Sequence, residues 1–276
     1  MFVKFLYRIE FNVESFMHIY DFDFTSKPLL IATNTQLSEH LIYKIEVIID
    51  SLSEELNHTI IDSPAYRFNR APTESVIRLN AEFISFLKLN LNFQAYNSQI
   101  RTVLFNRIGK DMNQLINIKA NLVVKKSDIR LDTSVLKNAF IIELIRKLLI
   151  SNNIQEFKIS SDDIVIAIGT KPYAVNFKLT KTKNFKSSAS NQVLLRIVPQ
   201  YNDKKEIPMK FASKDYIIDL EHLILRGNNI IELYYSALKL HKKNLYSDFI
   251  KLANEDKIKL ILFDKNEVIH EFAPII

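Results

Sequence analysis

Apolar residues along this chain recur first at every second position and then at every third or fourth. Over residues 2–11, 16–24 and 29–33 polar side chains alternate with apolar ones, as in Phe22-Asp23-Phe24. A period of two is that of a strand with one wet and one dry face, so these segments predict an antiparallel start to a sheet. The period then changes. Leu37, Leu41, Ile45, Ile48, Leu52 and Leu56 recur at spacings of three and four, which places them on one stripe of a helix that Asn34 or Thr35 would cap. A polar stretch over 62–73 ends it. The same spacing predicts a second helix over about 80–93 and a third over about 134–151, whose buried face would carry Val135, Ala139, Ile142, Ile145 and Leu149.

Further strands are predicted over 121–125, 157–168, 173–179 and 193–198, then helices over 229–241 and 245–254. A terminal hairpin over 257–263 and 267–272 turns at Asp264-Lys265-Asn266. Strands, three helices, strands, two helices and a hairpin make neither a Rossmann alternation nor a repeat array. The expected class is α+β, a mixed or antiparallel sheet packed with helices. With no Pro/Gly/Ser-rich linker in view, residues 1–276 are expected to form a single compact unit.

Composition narrows the chemistry. In 276 residues, 47% are hydrophobic and 25% charged, the balance of an ordinary globular protein with a sizeable core. The absence of cysteine excludes disulfides, thiolate nucleophiles, thiolate zinc sites and a lipidated cysteine. Lys4, Arg8 and Glu10 interrupt the opening segment, so it does not read as a signal peptide, and no run approaches the ~18 apolar residues of a membrane helix. These features together predict a cytoplasmic protein with no membrane segment, and they leave the oligomeric state open. The net charge is +6, but the densest basic segment, 178–186, reads as a flexible, solvated loop between strands. Nucleic-acid binding is therefore the minority reading.

The six histidines are scattered without metal-ligand spacing, and there is no G-x-S-x-G elbow. Glycine is the outlier: 3 residues, Gly109, Gly169 and Gly227, against roughly 7% in an average protein. Loops that wrap a pyrophosphate use glycine because a residue without a Cβ lets the backbone approach closely. No G-x-G-x-x-G or P-loop pattern is present.

A series of short segments nonetheless stands in the order and approximate spacing of the motifs of one known family. Residues 62–69, Asp-Ser-Pro-Ala-Tyr-Arg-Phe-Asn, resemble D-S-E-x-S-R-x-N, with Pro64 and Tyr66 departing from it. Ala95-Tyr96-Asn97 stands where the family has G-A-F-D. Residues 131–140 align with D-L-G-G-I-A-K-G-Y-A, keeping Lys137 but neither the glycine pair nor the leading aspartate. Residues 159–164, with Ser160 and Ser161, stand for N-x-G-G-D-I. Residues 212–216 resemble A-T-S-G-D-Y, and His222 with Arg226-Gly227 resembles H-I-I-D-P-R-T-G. Residues 232–238 resemble D-x-x-x-T-A-L, with Glu232 for the aspartate and Ser236 for the threonine.

Taken in order, these segments resemble the FAD:protein FMN transferases of the ApbE-like family, and the resemblance spans roughly residue 30 to the C-terminus. It implies a protein in which magnesium and FAD sit together and FMN passes to a threonine or serine of a target flavoprotein. Carried across, Ser134, Glu232 and Ser236 would ligate magnesium; Lys137 would meet the flavin phosphate and, with Glu232, form the catalytic pair; Tyr66, Asn97, Asp162, Asp163 and His222 would line the cofactor. Plainer readings stand beside these. Glu232 also reads as a solvated carboxylate, Ser236 as a small residue against the core, and Lys137 as an exposed lysine of a first helical turn. Asp162 and Asp163 read equally as a strand-edge turn, and His222 as a structural histidine. Tyr66, Tyr96, Tyr216 and Tyr235 would either stack on a flavin or fill space left by lost glycines. Because serine replaces glycine where backbone should touch phosphate, the expected function is a binding or accessory protein that keeps the fold with FAD binding lost or weakened. An active magnesium-dependent transferase is the alternative.

Overall fold

A computed structural model of the chain describes residues 18–24, 27–95, 116–131, 133, 136–161, 163–179, 184–197, 210–212, 217–240, 246–264 and 269–275. Strands β1 (His18–Phe24) and β2 (Lys27–Thr33) lead into helices α1 (Glu39–Glu55) and α2 (Pro64–Arg70), strand β3 (Val76–Arg78) and helix α3 (Ala81–Ala95). Strands β4 (Ile116–Lys119) and β5 (Leu122–Lys125) precede helix α4 (Lys137–Ser151). Then come β6 (Phe157–Ser160), β7 (Ile164–Ile168), β8 (Tyr173–Lys178), β9 (Asn184–Ala189) and β10 (Gln192–Ile197). The chain closes with β11 (Lys210–Ala212), β12 (Ile217–Gly227), α5 (Ile230–Leu240), α6 (Tyr246–Asp256), β13 (Lys259–Asp264) and β14 (Ile269–Phe272). Residues 40–145 form one compact unit, and the segments before and after them form another. The strand expected over 2–11 and the core position Val135 lie outside the described residues.

The flanking segments build a sheet in the order β1-β2-β6-β7-β10-β12-β13-β14, with β11 beside β12 and every pairing antiparallel. The α+β expectation therefore holds. Strand alternation sorts the side chains. Val165, Ala167, Leu194, Ile224, Ile261 and Phe263 face the β8–β9 hairpin, which covers them with Val175, Phe177 and Leu179. The alternate positions, among them Ile31, Ile159, Ile166, Val193, Leu225 and Leu262, are also buried. On that side α5 packs against β10 and β12, and α6 against β13 and β14.

The unit of residues 40–145 holds a three-stranded sheet, β3-β5-β4, with α1, α2, α3 and the first turns of α4. Its core includes Ile45, Leu52, Phe68, Phe83, Phe86 and Phe140, the last two meeting edge to face with ring centroids 5.3 Å apart. Ala139, Ile142 and Ile145 are fully buried on α4, as their spacing predicts.

Several boundaries differ from expectation, each for a local reason. The segment 157–168 is two strands, β6 and β7, because the Ser161 amide donates to the Ile164 carbonyl (2.8 Å) and closes a turn. With both faces of the sheet covered, Ile164–Ile168 reads as an unbroken apolar run that hides the break. Part of the expected loop over 178–186 is β9: Phe185 stacks on Phe177 at 6.4 Å, while Lys178 and Lys186 lie outward. Helix α1 starts at Glu39 rather than near Thr35, since the Leu37 amide is taken by the Tyr20 hydroxyl (2.7 Å), and Ile49 rather than Ile48 fills the stripe. Among the described residues, no helix is long and apolar enough to cross a membrane.

Candidate functional site

Within residues 40–145, the structure joins two of the segments that carry the family resemblance. Asp62 takes a positive φ of 67°, and Ser63 then caps α2, accepting from the Tyr66 amide (3.0 Å) and donating to the Asn57 carbonyl (2.7 Å). Pro64 follows at the first helical position, where its missing N–H costs nothing. This Ser-Pro pair was the signal for a helix that the polar composition of 62–73 concealed. At the other end of α2, Asn69 grips the backbone of Leu131: its amide donates to the Leu131 carbonyl (2.9 Å), and its oxygen accepts from the Leu131 N–H (2.6 Å). Thr133, fully buried, donates to the Leu56 carbonyl.

Lys137 opens α4, its amide bonded to the Thr133 carbonyl (3.0 Å). Burial disfavours its charged form and holds its pKa below the usual lysine value. The Tyr66 ring lies under the Arg70 guanidinium, 5.4 Å from its centroid. A residue that sequence reasoning missed supports this arrangement. Lys125, fully buried, donates to the carbonyls of Ala71 (2.9 Å), Phe68 (3.2 Å) and Asn69 (3.5 Å) at the end of α2. No periodic or motif signal marks it, because a lysine on a short strand ordinarily reads as a solvent-facing position.

The other candidates belong to the larger unit. Asp163, in the turn between β6 and β7, accepts from Arg196 Nε (2.8 Å) and Nη2 (2.6 Å), and its carbonyl accepts from the Arg196 amide (2.7 Å). Tyr234 on α5 has its pKa raised, first by burial and then by the Asp163 charge, so the turn and α5 are electrostatic neighbours. His222 is buried on β12, paired with Phe263 just past a register shift.

On α5, Asn229 Oδ1 accepts from the Ile231 amide (2.8 Å) at the helix start. Glu232 is exposed, and Ser236, one turn later, is buried. The Tyr235 hydroxyl has its pKa raised by burial and, next, by Glu232. Ser236 Oγ lies 2.6 Å from Asp256 Oδ2 and 3.1 Å from the Glu232 carbonyl; its single proton goes to the carboxylate, the stronger acceptor. The other oxygen of Asp256 binds the Lys239 ammonium at 2.6 Å. Asp256 and Lys239 were not anticipated, since α6 meets α5 only in the fold. Asn97, Ser134, Asp162, Tyr96 and Tyr216 lie outside the described residues.

This arrangement can be tested against magnesium. Such an ion takes oxygen donors, commonly one or two carboxylates, with water and phosphate completing an octahedron. Glu232 and Ser236 are of the right type and share a helix face. Ser236, however, already donates to Asp256, whose charge is matched by Lys239, so an ion on Ser236 would share that carboxylate with an ammonium. The α5 donor set as arranged does not fit a divalent cation. Among the described residues, no group of three or more His, Cys, Asp or Glu side chains could hold a metal.

Solved structures supply the context. The flavin transferase ApbE from Vibrio cholerae superposes with a TM-score of 0.70 at 11% identity, covering 94% of this chain and 97% of its own. The apo flavinyl transferase ApbE of Pseudomonas stutzeri gives 0.71 at 11%, covering 94% of each chain. This is the ApbE flavin-transferase fold. The ApbE protein of Thermotoga maritima matches likewise, with a TM-score of 0.67 at 10% identity over 93% of this chain and 97% of that one. No protein-family model matches the sequence, and no curated protein does. At such identity the likeness establishes the ApbE architecture and leaves the side-chain chemistry to be argued from this chain alone.

Proposed function

We propose that this chain keeps the ApbE fold but has lost or weakened FAD and magnesium binding, and serves as a binding or accessory protein. The observation that carries this reading is that two candidate ligand groups are already engaged internally: the Asp163 carboxylate with Arg196 and the Ser236 hydroxyl with Asp256. Releasing either would leave a part-buried charged or polar partner short of a bond, which costs about 1–3 kcal/mol. The turn at Ser160-Ser161 supports the same reading: the Ser161 amide is committed to Ile164, and each serine adds a Cβ where a phosphate would need open backbone.

A second reading, an active transferase moving FMN from FAD onto a threonine or serine of a target flavoprotein, is favoured by the exposed Glu232 carboxylate one turn from Ser236 and by Lys137 at the start of α4. A titration with FAD, with and without magnesium and followed by flavin fluorescence, separates the two. The proposal expects no saturable magnesium-dependent change. Micromolar binding that needs magnesium and is lost in Lys137→Ala or Glu232→Ala would establish the transferase reading instead.

A further inference from the structure

We infer that the outer face of the β8–β9 hairpin is a docking surface for duplex DNA, a partner that goes beyond the accessory-protein reading and does not depend on it. The charge of the chain points there first. Between Asp163 and Asp203 no acidic residue occurs, while Lys171, Lys178, Lys181, Lys183, Lys186 and Arg196 all do. Taking these six from the 37 basic residues leaves 31, equal to the 31 acidic ones, so this segment holds the whole net charge of +6. Basic charge gathered in one stretch is the electrostatic footprint of a polyanionic partner.

The fold turns two of these lysines into an ordered surface. Across the hairpin, Asn176 pairs with Lys186 and Lys178 with Asn184, and all four side chains are exposed. Lys178 and Lys186 are thus diagonal neighbours, roughly 7–8 Å apart at the backbone. Among the described residues, neither is paired with a carboxylate. The alternate side chains, Val175, Phe177 and Phe185, pack on the sheet instead. Cations of that sheet hold the ribbon from behind. Lys158 Nζ donates to the Ala174 carbonyl (2.7 Å), Arg226 Nη2 to the Ser188 carbonyl (3.1 Å) and Arg196 Nη1 to the Lys178 carbonyl. The outer lysines therefore project from a braced platform, and little backbone ordering opposes binding.

The composition of the face selects among polyanions. Among the described residues of the hairpin there is no large exposed apolar side chain, which a membrane-inserting or protein-docking surface would use as its anchor. Phe177 and Phe185 stack on each other against the sheet, so neither ring is presented to an unpaired base. What remains is ammonium and amide groups on a two-stranded ribbon, an element that the major groove of a duplex admits. In that groove lysine meets phosphate or guanine O6 and N7, and asparagine meets adenine N6 and N7.

Anisotropy of a labelled DNA duplex of about 20 base pairs, titrated with the full chain between about 50 and 200 mM salt, tests this. Wild type should bind at the lowest salt, and the logarithm of its affinity should fall linearly with that of the salt concentration. Replacing Lys178 and Lys186 together by Gln should weaken binding at least roughly tenfold at about 50 mM salt and reduce the salt slope by about 2. Lys178→Arg with Lys186→Arg should bind as wild type does. Lys44→Gln with Lys88→Gln removes the same charge from exposed positions on α1 and α3, and should change the affinity less than roughly twofold. Should the hairpin Gln pair not fold, the single variants Lys178→Gln and Lys186→Gln decide, each lowering the slope by about 1. A wild type that does not bind at the lowest salt would overturn the inference, as would equal losses in the two Gln pairs. Tighter binding to the single strand, or to phosphatidylserine vesicles, than to the duplex would overturn it too.

Discussion

Lys125 offers the sharpest test of how the residue 40–145 unit is held. Replacing it with Met keeps the length and the contact with Phe68, whose ring lies 5.5 Å below the ammonium, but deletes the donor to the end of α2. Of its three carbonyl contacts, those at 2.9 and 3.2 Å fall within or at the edge of good hydrogen-bond distance, and the third, at 3.5 Å, is marginal. Two buried acceptors left short cost about 1–3 kcal/mol each. Against this stands the relief of no longer burying a charge, itself worth several kcal/mol in gross terms. The expected net loss is about 1–3 kcal/mol, read as a lower urea midpoint with an unchanged slope.

The pH dependence carries the sign. Burial holds the folded-state pKa of Lys125 below 10.5, with Asp128 opposing and Arg130 adding to the shift. Between that lowered value and 10.5 the unfolded chain binds more protons, so raising the pH stabilises the folded protein. The stability gap between wild type and Lys125→Met should therefore widen as pH climbs through this window, other titrating groups cancelling in the difference. A variant as stable as wild type at neutral pH, or a gap that narrows with pH, would refute the reasoning.

Other consequences are as direct. A Cβ at Gly227 would lie 2.9 Å from Leu233 Cδ2 and 3.3 Å from Ile258 Cγ2, so Gly227→Ala should cost about 1–3 kcal/mol in thermal unfolding, and less when introduced into a Leu233→Ala background; an unchanged melting temperature would count against the packing described. Asn69→Leu should cost about 1–3 kcal/mol and speed hydrogen exchange at the Leu131 amide, and Asn69→Asp should not restore stability, because its second oxygen would face the Leu131 carbonyl that Asn69 now donates to. Burial and then Glu156 push the Tyr173 hydroxyl up to about 12, and Tyr234 and Tyr235 are raised as well. A spectroscopic titration should show phenols ionising well above 10, and the component near 12 should vanish in Tyr173→Phe. Because the unfolded chain loses those protons first, stability should fall as pH rises above about 10.

Periodicity made the helices legible. The stripe Leu41, Ile45, Leu52 and the α4 positions Ala139, Ile142 and Ile145 are buried as their spacing says. It placed a strand at Ile164–Ile168 but missed the turn before it, and it missed β12, because a strand with two dry faces has no alternation to read. It failed again at α2, too short for a period, although Ser63-Pro64 marked its start. The ordered motifs pointed to the ApbE fold even though no single one is intact. What they could not reveal is who faces whom: that Arg196 would take Asp163, that Asp256 and Lys239 would close on Ser236, or that a lysine would be buried under α2. Two of the three glycines are also accounted for, Gly169 by a φ of 145° and Gly227 by the side chains above it. Neither observation concerns a phosphate.

Calorimetric titration of the purified full chain with FAD in excess magnesium bears most directly on the central claim. The account predicts no saturable heat, and the same trace from wild type, Lys137→Ala and Glu232→Ala. Stoichiometric micromolar binding that requires magnesium and disappears in either variant would contradict it.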